Sequence, residues 1–435
     1  MRGVANAELA PELVVALGRA AATVFGASRF AVGRDTRVSG PMLQAALVAG
    51  LSSHGADVDD LGVLPTPGVA WVSATEDIPA AVISASHNPF PDNGIKFFGA
   101  GGRKLDDALE DRLEAELDRL IAGGTPIALP TGREIGRIRS RPAAPAYVDA
   151  LVASLGGRRF PGLHVVLDCA HGAAWQVAPH VFETAGARVD VVANDPDGVN
   201  INDGCGSTHP EVLRRAVVEL GADVGLAFDG DADRVLAVDA DGNLVDGDQI
   251  IAICAIDRRQ RGLLPEETIV VTVMANLGLR HAMSEQGIKL VETPVGDRFV
   301  LAELESAGLN LGGEQSGHIV FRDLATTGDG ILTGLQVLDV VARSGRPLGE
   351  LASVMRRLPQ VLRNVAVQRG ATLEGAAGVW SEVEAVEREL GDAGRVLLRP
   401  SGTEPLVRVM VEAPTEQLAE AAADRLVAAV ERSLT

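Results

Sequence analysis

The chain has 435 residues, of which 46% are hydrophobic, and a formal net charge of −20 at pH 7. This length is enough for about three or four domains of ordinary size. The acidic balance argues against a nucleic-acid or anionic-membrane surface, because both require a basic footprint, but a local basic pocket can still hold an anionic small molecule. We therefore predict a multidomain globular protein with no nucleic-acid partner and no membrane partner.

Cysteines are few and widely spaced, which bears on the compartment. Cys169, Cys205 and Cys254 form no CxxC pair, so we expect a reducing environment rather than a disulfide framework or a zinc site. Glu12 and Arg19 interrupt the first apolar segment, and no basic stretch precedes it, so we expect no signal peptide. No uncharged apolar run reaches the length of a membrane span. These features predict a cytoplasmic protein.

Apolar periodicity alternates between helix and strand along the chain. The first helix is predicted from leucines at helical spacing, with Pro11 near its start. Several later strands end abruptly in polar loops, and ligands of α/β proteins bind at the carboxyl ends of strands. The segment 359–435 is predicted as strand–helix–strand–strand–helix. The other predicted elements are strands at 30–32, 58–63, 80–84, 163–167, 224–228 and 269–273 and a helix at 42–53.

The polar loop after strand 80–84 carries a serine. The sequence Ser-Ala-Ser-His-Asn-Pro at 84–89 places Ser86 on a turn stiffened by Pro89. An exposed but fixed hydroxyl in such a turn suits a nucleophile or a phosphate carrier. His87 can donate to a phosphate or hold the turn, and the alternative is an ordinary Ser/Asn/Pro turn.

Lysine is rare in this arginine-rich chain, with three occurrences. One of them, Lys96, lies in the strand that follows the serine loop. Lys96 is therefore a candidate general acid or base, or a phosphate contact. The alternative is a solvent-facing strand residue.

The loop after strand 224–228 has carboxylates at alternate positions, namely Asp229, Asp231 and Asp233. Their mutual repulsion requires a compensating cation, and hard oxygen ligands select Mg²⁺ or Ca²⁺. An EF-hand is excluded, because Arg234 stands where that loop has Gly and Ala240 where it has Glu. A haloacid-dehalogenase-type phosphatase fits poorly, since it would have Thr or Val at position 233. A solvated acidic turn is the alternative to a metal site.

Two further loops have the composition of sugar and phosphate sites. Gly-Glu-Gln-Ser-Gly-His at 313–318 brackets hydrogen-bonding side chains with glycines, as a loop for sugar hydroxyls would. Arg-Pro-Ser-Gly-Thr-Glu-Pro at 399–405 combines arginine, hydroxyls and backbone N–H groups in an anion nest. A hairpin with incidental arginines is the alternative. The phosphate-binding candidates are Arg399, Ser401, Gly402, Thr403 and Arg408.

The order of these four motifs resembles the α-D-phosphohexomutase superfamily, and the resemblance covers essentially the whole chain. It implies an α/β fold, with three related α/β domains with mixed sheets plus a smaller C-terminal α+β domain around a central cleft. Candidate boundaries lie at 123–145, near Asp246 and near Leu358. The expected domains are a phosphoserine domain at 1–143, a metal-binding domain at 144–246, a sugar-binding domain at 247–358 and a C-terminal phosphate-binding domain at 359–435.

The resemblance also implies the chemistry. Ser86 would carry a phosphoryl group and bind Mg²⁺ together with Asp229, Asp231 and Asp233. A sugar 1,6-bisphosphate would form as intermediate and turn around in the cleft. The implied catalytic residues are Ser86, His87, Lys96 and His318, with His318 competing with Lys96 as acid or base. The implied substrate-binding residues are Arg34, Arg234, Glu314 and Ser316 and the phosphate-binding candidates, although Arg34 lies in what could be a simple polar turn.

Smaller details resemble the branch of the superfamily that acts on glucosamine phosphates. These are Ser84 and Ala85 before the serine, Gln315 in the sugar loop and the segment 200–209. They imply interconversion of glucosamine 6-phosphate and glucosamine 1-phosphate, feeding UDP-N-acetylglucosamine and cell-wall synthesis. Glucosamine 1,6-bisphosphate or glucose 1,6-bisphosphate would be the activator.

Other functions stay open at the level of sequence. Within the superfamily the alternative is a phosphomannomutase or phosphoglucomutase. Outside that activity, the alternatives are a phosphatase and a non-catalytic phosphosugar-binding regulator. The sequence leaves the oligomeric state open and is compatible with a homodimer.

The start of the chain departs from the superfamily pattern. Relatives have Gly-(Thr/Ser)-Asp-Gly-(Ile/Val)-Arg-Gly near their beginning, whereas this chain opens with Met1, Arg2 and Gly3. We hypothesise that the native start lies upstream of Met1 and that an edge strand and one phosphate-contacting hydroxyl precede it.

Overall fold

The computed structural model describes residues 1–123, 129–368, 372–400 and 405–434. The chain divides into two compact units. The first unit comprises Met1–Val273 and Ile288–Val354, and the second comprises Met274–Gly287 and Met355–Thr435.

The first unit begins with a mixed sheet of seven strands within the described residues. Its strands are β1 (Arg2–Val4), β2 (Arg29–Arg34), β3 (Asp57–Val63), β4 (Ala80–Ile83), β5 (Asp92–Gly99), β6 (Arg103–Lys104) and β7 (Ile138–Ser140). Its helices are α1 (Pro11–Phe25), α2 (Gly40–Ser53), α3 (Thr66–Glu76) and α4 (Asp107–Ile121). The strand order is β1-β5-β4-β2-β3-β7, with β6 paired to β5. Strands β4, β2, β3 and β7 are parallel, and β5 is antiparallel to its neighbours.

Helices α1 and α2 pack closely on one another because glycines face each other at their crossing. A Cβ atom on Gly18 would lie 2.4 Å from the carbonyl oxygen of Leu47, and one on Gly50 would lie 2.3 Å from that of Val15. The close crossing brings apolar side chains such as Leu17 and Leu47 into one fully buried core with the strands of the sheet. Burying this apolar surface is the main stabilising contribution of the layer.

The second sheet of this unit has five strands within the described residues. Its elements are α5 (Ala144–Ala153), β8 (His164–Asp168), α6 (Ala174–Thr184), β9 (Arg188–Val192), α7 (Glu211–Leu220), β10 (Val224–Phe228), β11 (Val235–Asp239) and β12 (Leu244–Val245). The strand order is β12-β11-β10-β8-β9, and β8 and β10 are parallel neighbours. Because parallel strands end at the same edge of a sheet, the loops after Asp168 and Phe228 lie side by side.

The third sheet is smaller and also mixed. Its elements are α8 (Gly247–Gln260), β13 (Thr268–Thr272), β14 (Lys289–Thr293), α10 (Asp297–Ser306), β15 (Leu311–Gly313), β16 (Ile319–Phe321), α11 (Gly330–Ser344) and α12 (Leu348–Ala352). The strand order is β14-β13-β15-β16, parallel except for the last pair. Asp246 begins α8 with a reciprocal capping box, in which its side chain accepts from the backbone of Gln249.

The second unit is an antiparallel sheet covered by helices. Its elements are α9 (Leu277–Glu285), β17 (Gln360–Ala366), α13 (Ala377–Leu390), β18 (Arg395–Pro400), β19 (Leu406–Glu412) and α14 (Glu416–Leu434). The strand order is β17-β19-β18. Helix α9 comes from the middle of the chain, and its first N–H, that of Leu277, donates to buried Glu412 on β19 at 3.1 Å. Arg395 pairs with the same carboxylate at 2.9 Å.

The predicted fold class is confirmed: α/β layers with mixed sheets are followed by a smaller α+β domain. The strand predicted at 224–228 has those bounds, and Pro11 is the first residue of α1. Several other predicted elements, such as the helix at 42–53, differ from the structure by one or two residues at an end. Among the described helices, none has the length and apolar character that a membrane crossing requires.

Candidate active site

Ser86 occupies the loop that follows β4 and has a left-handed backbone conformation, with φ at 54°. A non-glycine residue in this region stores strain on the order of 1 kcal/mol, which the surroundings must hold in place. The Ser86 N–H donates to Ser84 Oγ at 3.0 Å. The side chain was expected to be exposed, but Ser86 is only 3% exposed, because the loop that carries Asp229 lies over it.

The buried side chain of Arg37 holds the conformation of the serine loop (84–89) by hydrogen bonds to backbone carbonyls. It is 1% exposed, and its guanidinium donates to the carbonyl oxygens of Ser86 at 3.0 Å, Asn88 at 2.8 Å and Asp92 at 2.9 Å. It also donates to the carbonyl of Pro89. Only arginine has enough donors in a planar fork to bind several carbonyls at once. Sequence reasoning missed this residue, since nothing in its local pattern distinguishes it from a surface arginine.

Arg34, the arginine that the sequence analysis chose from the same turn, makes different contacts. Its Nε donates to Gln44 Oε1 at 2.8 Å, and its Nη1 donates to the carbonyl oxygen of Asp35 at 3.3 Å. Its role as a substrate-binding residue stays a prediction.

The carboxylates of Asp229, Asp231 and Asp233 converge after β10. One oxygen of each lies within 4.8 Å of the others, and all three residues are buried. Ser86 Oγ donates to Asp229 Oδ2 at 2.6 Å. The serine hydroxyl therefore lies directly at the acidic cluster, although the two loops belong to different sheets.

The charges in the cluster are unevenly distributed. Burial, and then the charges of Asp233 and Asp231, raise the pKa of Asp229 well above its ordinary value. For Asp233, burial opposes ionisation, but neighbouring groups led by His318 and Lys96 outweigh it and hold the pKa below its ordinary range. The charged form of Asp229 is thus disfavoured at the point where it contacts Ser86, and a bound cation would favour it.

Lys96 is in contact with this cluster. Its Nζ lies 2.8 Å from Asp231 Oδ2 and 3.9 Å from Asp233 Oδ2. Burial acts to lower the pKa of Lys96, but the two carboxylates outweigh it and raise the pKa above its ordinary value. Lys96 is therefore a cation at the cluster.

Two histidines flank the same cluster. His87 Nδ1 lies 3.3 Å from Ser86 Oγ, and burial, followed by the charge of Arg234, lowers the pKa of His87. His318 is 3% exposed, and its Nδ1 lies 3.6 Å from Asp233 Oδ2. Arg234 Nε lies 3.8 Å from Asp233 Oδ1. The structure thus gathers several predicted site residues around one point, and their chemical roles stay predictions.

The oxygen donors of the cluster fit a hard divalent cation. Asp231 Oδ1 and Asp233 Oδ1 are buried and, among the described residues, have no hydrogen-bond partner. A buried acceptor without a partner costs on the order of 1–3 kcal/mol, more when it is charged. A metal ion that binds both oxygens would remove that cost, and carboxylate oxygens suit a hard divalent cation.

Contacts from neighbouring segments hold the serine loop and join the loops that follow β2 and β8. Asn202 Nδ2 donates to the carbonyl oxygens of Ser86 and Asn88, each at 3.0 Å. Thr36 Oγ1 donates to the carbonyl oxygen of His171 at 2.6 Å. The segment 200–209, which the sequence analysis took only as a family mark, therefore also fixes the serine loop.

The predicted sugar loop (313–318) lies next to the metal loop (229–234). Val235 N–H, at the start of β11, donates to the carbonyl oxygen of Gly317 at 3.1 Å. A Cβ atom on Gly317, whose φ is 91°, would lie 2.2 Å from the carbonyl oxygen of Val235, so the close approach requires glycine. Glu314 Oε1 accepts from the N–H of Gly296 at 3.1 Å, and Ser316 is exposed.

A second lysine also reaches this region. Lys104 forms an ion pair with Asp297, and Asp297 Oδ2 lies 3.7 Å from His318 Nε2. Sequence reasoning did not include Lys104 among the site residues. The scarcity of lysine, which drew attention to Lys96, was a signal that could have found it.

In the second unit, two predicted phosphate-binding arginines face each other across strands. Arg399 on β18 and Arg408 on β19 are direct partners in the antiparallel register. Burial, and then the charge of Arg408, lower the pKa of Arg399. The Nε atoms of both are buried and have no hydrogen-bond partner in the described part of the chain. Ser401, Gly402 and Thr403 lie outside the described residues.

The family comparison agrees with this arrangement of loops. Models described as phosphoglucomutase/phosphomannomutase match the chain in order: alpha/beta/alpha domain I at 1–122, domain II at 145–242, domain III at 246–358 and the C-terminal domain at 362–429. The chain belongs to the phosphoglucomutase/phosphomannomutase family, whose members are isomerases of phosphosugars, and the predicted membership of the α-D-phosphohexomutase superfamily is confirmed.

Within that family, similar curated relatives are phosphoglucosamine mutases. The protein of that name from Rhodococcus jostii is 55% identical, covering 99% of this chain and 97% of its own length. The one from Desulforudis audaxviator is 53% identical, covering 99% and 96%. The predicted similarity to bacterial phosphoglucosamine mutase is therefore confirmed.

Solved structures agree on the fold. A phosphoglucomutase/phosphomannomutase family protein from Burkholderia thailandensis is 26% identical with a TM-score of 0.82, covering 100% of this chain and 96% of that one. N-acetylphosphoglucosamine mutase from Aspergillus fumigatus is 19% identical with a TM-score of 0.70, covering 100% and 94%. At the latter identity the likeness shows the fold alone.

Proposed function

We propose that this protein is a phosphoglucosamine mutase, an isomerase that interconverts glucosamine 6-phosphate and glucosamine 1-phosphate. The observation that carries the proposal is the contact of Ser86 Oγ with Asp229 Oδ2, at 2.6 Å. This contact places a hydroxyl at a cluster of three carboxylates with oxygens available to a cation. The identity of 53–55% to phosphoglucosamine mutases over nearly the whole chain supports the substrate.

In the proposed reaction, phosphorylated Ser86 gives its phosphoryl group to the free hydroxyl of the sugar phosphate. The product is a 1,6-bisphosphate, which turns around in the site and returns its other phosphoryl group to Ser86. Each transfer breaks one P–O bond and forms another, so the enzyme ends in the state in which it began. Phosphoryl transfer depends mainly on positioning and on neutralising charge.

Asp229, Asp231, Asp233 and the phosphorylated Ser86 would hold Mg²⁺. When bound, the ion supplies positive charge to the phosphoryl oxygens. The chain itself supplies further positive charge from Lys96, which lies 2.8 Å from Asp231 Oδ2. Charge neutralisation is thus concentrated where the phosphoryl group is carried.

Proton transfer at the serine is assigned to His87. Its Nδ1 lies 3.3 Å from Ser86 Oγ, so the hydroxyl can present its proton to His87 once it turns away from Asp229 Oδ2. The lowered pKa of His87 favours the neutral ring. His87 therefore takes the proton when Ser86 accepts a phosphoryl group and returns it when the group leaves. Lys96 and His318 are the candidates for the proton of the sugar hydroxyl.

Substrate binding is assigned to the loops that do not carry the phosphoryl group. Glu314 and Ser316 would bind sugar hydroxyls, and Arg34 and Arg234 would contact the substrate as charged donors. Arg399 and Arg408, with Ser401, Gly402 and Thr403, would bind the phosphate that is not reacting. An arginine pair recognises the phosphate rather than the sugar, so it serves both orientations of the bisphosphate.

The proposal is tested by incubating the purified protein with glucosamine 1-phosphate, Mg²⁺ and a catalytic amount of glucose 1,6-bisphosphate. We expect glucosamine 6-phosphate without inorganic phosphate, and a higher kcat/KM than with glucose 1-phosphate. A preference for glucose or mannose phosphates would make the protein a phosphoglucomutase or phosphomannomutase instead. Release of inorganic phosphate at the rate of substrate loss would make it a phosphatase.

A further inference from the structure

Thr66 connects the segment that follows β3 to the metal loop by two hydrogen bonds. Its N–H donates to the carbonyl oxygen of Asp231 at 3.0 Å, and its Oγ1 donates to Asp231 Oδ2 at 2.7 Å. Thr66 is the first residue of α3, so its N–H is one of those that a helix cannot satisfy internally. One residue thus holds both the backbone and the side chain of Asp231.

The two oxygens of the Asp231 carboxylate have different surroundings. Oδ2 accepts from Thr66 Oγ1 and from Lys96 Nζ, at 2.7 and 2.8 Å. Oδ1 is buried and, within the part of the chain that the structure describes, lacks a hydrogen-bond partner. The contacts on Oδ2 therefore fix the orientation that leaves Oδ1 available to a cation.

Thr66 and Lys96 do not contribute equally to this orientation. Thr66 is 3% exposed, and its branched side chain has few rotamers within a helix. The Lys96 side chain is 30% exposed and reaches Asp231 through a flexible stem. The threonine hydroxyl is therefore the more fixed of the two contacts on Asp231 Oδ2.

We propose that Thr66 is a positioning residue of the metal site, which holds Asp231 so that Oδ1 faces the bound divalent cation. This inference rests on the metal site of the proposed function. Ligands of metals in proteins are oriented by such hydrogen bonds, and losing one costs about 10–100-fold in metal affinity. Thr66 lies in the match to domain I and Asp231 in the match to domain II, so metal affinity depends on the contact between these two domains.

The test is the Mg²⁺ affinity of variants, measured by calorimetry on the full chain without substrate, with the phosphorylation state of Ser86 checked by intact mass. Thr66→Val keeps the shape but removes the hydroxyl, and we expect Mg²⁺ to bind about 10-fold more weakly. Thr66→Ser keeps the hydroxyl, so its Mg²⁺ affinity should stay within about threefold of the wild-type affinity. That change is smaller than the loss expected when the contact is removed. The matched control is Thr333→Val, since Thr333 is a buried threonine whose hydroxyl has no hydrogen-bond partner among the described residues.

Wild-type affinity in Thr66→Val would overturn the proposal, and so would an equal loss in Thr66→Ser, because the methyl group would then be responsible. If Thr66→Val does not fold, the same comparison is made between Thr66→Ala and Thr66→Ser. Because no substrate is present, a failure of the mutase assay with normal wild-type Mg²⁺ binding would count against the proposed function and not against the role of Thr66.

Discussion

Ser86 Oγ and Asp229 Oδ2 are 2.6 Å apart, although 143 residues separate them in the chain. The two residues lie in loops that follow strands of different sheets, so the contact depends on how the first two α/β layers dock. Replacing Ser86 with alanine should reduce turnover by about 10³-fold or more, because it removes the hydroxyl that carries the phosphoryl group in the proposed reaction. The measurement is the mutase assay with glucosamine 1-phosphate.

The control for this prediction is Ser306→Ala, an exposed serine on α10. It should keep the wild-type rate. Near-normal turnover in Ser86→Ala would contradict the phosphoserine role.

Asp231→Asn should weaken Mg²⁺ binding by more than the roughly 10-fold expected for Thr66→Val, because it changes the ligand and not only its orientation. Calorimetry measures the change directly. Asp241→Asn, in the exposed turn between β11 and β12, should bind Mg²⁺ like the wild-type protein. An unchanged Mg²⁺ titration in Asp231→Asn would remove this residue from the ligand set.

Arg37→Lys should destabilise the protein by about 3 kcal/mol or more, because lysine cannot replace a buried guanidinium that binds several carbonyls. The change is measured as the free energy of unfolding in urea. Arg112→Lys, at an exposed arginine on α4, is the control and should change stability by less than about 0.5 kcal/mol. Equal stability of the two variants would show that the serine loop holds its shape without Arg37.

Arg408→Ala should raise the KM for glucosamine 1-phosphate on the order of 10-fold while changing kcat less, since the lost contact is to the phosphate that does not react. Steady-state kinetics measures both constants. Arg363→Ala is the control, because Arg363 on the neighbouring strand β17 is paired with Glu420. A fall in kcat with unchanged KM would assign Arg408 to the chemical step instead.

Asp329 should make stability depend on pH. It caps α11 by accepting from the N–H of Leu332 at 2.9 Å, and burial raises its pKa from 3.8 to about 6. The unfolded chain releases this proton at a lower pH than the folded chain, so between the two pKa values the folded state binds more protons. The contribution of Asp329 to the free energy of unfolding therefore falls by about 2 kcal/mol as pH rises from about 4 to about 6.

Asp329→Asn tests this, since asparagine can still cap the helix but does not titrate. The stability of the variant relative to the wild-type protein should rise between about pH 4 and pH 7, as measured by urea unfolding at each pH. A difference that does not vary with pH would show that Asp329 titrates alike in both states.

The sequence predicted those parts of the site that depend on local pattern. A polar loop after an apolar strand marked Ser86 and Asp229, because strand ends in α/β proteins share an edge. The α/β alternation predicted the fold class for the same reason. The predicted domain ranges, the homodimer and the cytoplasmic location stay predictions.

The parts that were missed depend on tertiary contacts. Arg37 and Thr66 have ordinary local sequences, and their importance appears only when a carbonyl or a carboxylate from a distant segment reaches them. Arg34 was chosen over Arg37 from the same turn, since a sequence pattern does not show which of two nearby arginines points inward. The burial of Ser86 was missed likewise, because it arises from a loop 143 residues away.

Residues 274–287 belong to the same compact unit as the C-terminal segment, so that unit is discontinuous in sequence. A fragment that begins at residue 355 would lack α9. Glu412 would then lose the hydrogen bond that it accepts from the N–H of Leu277. A fragment that ends at residue 354 would keep α9 but lack β19, the strand that carries Glu412. Separate expression of the final segment should therefore give a poorly folded polypeptide. A peptide of residues 274–287, added to that segment, is the natural partner for restoring its fold.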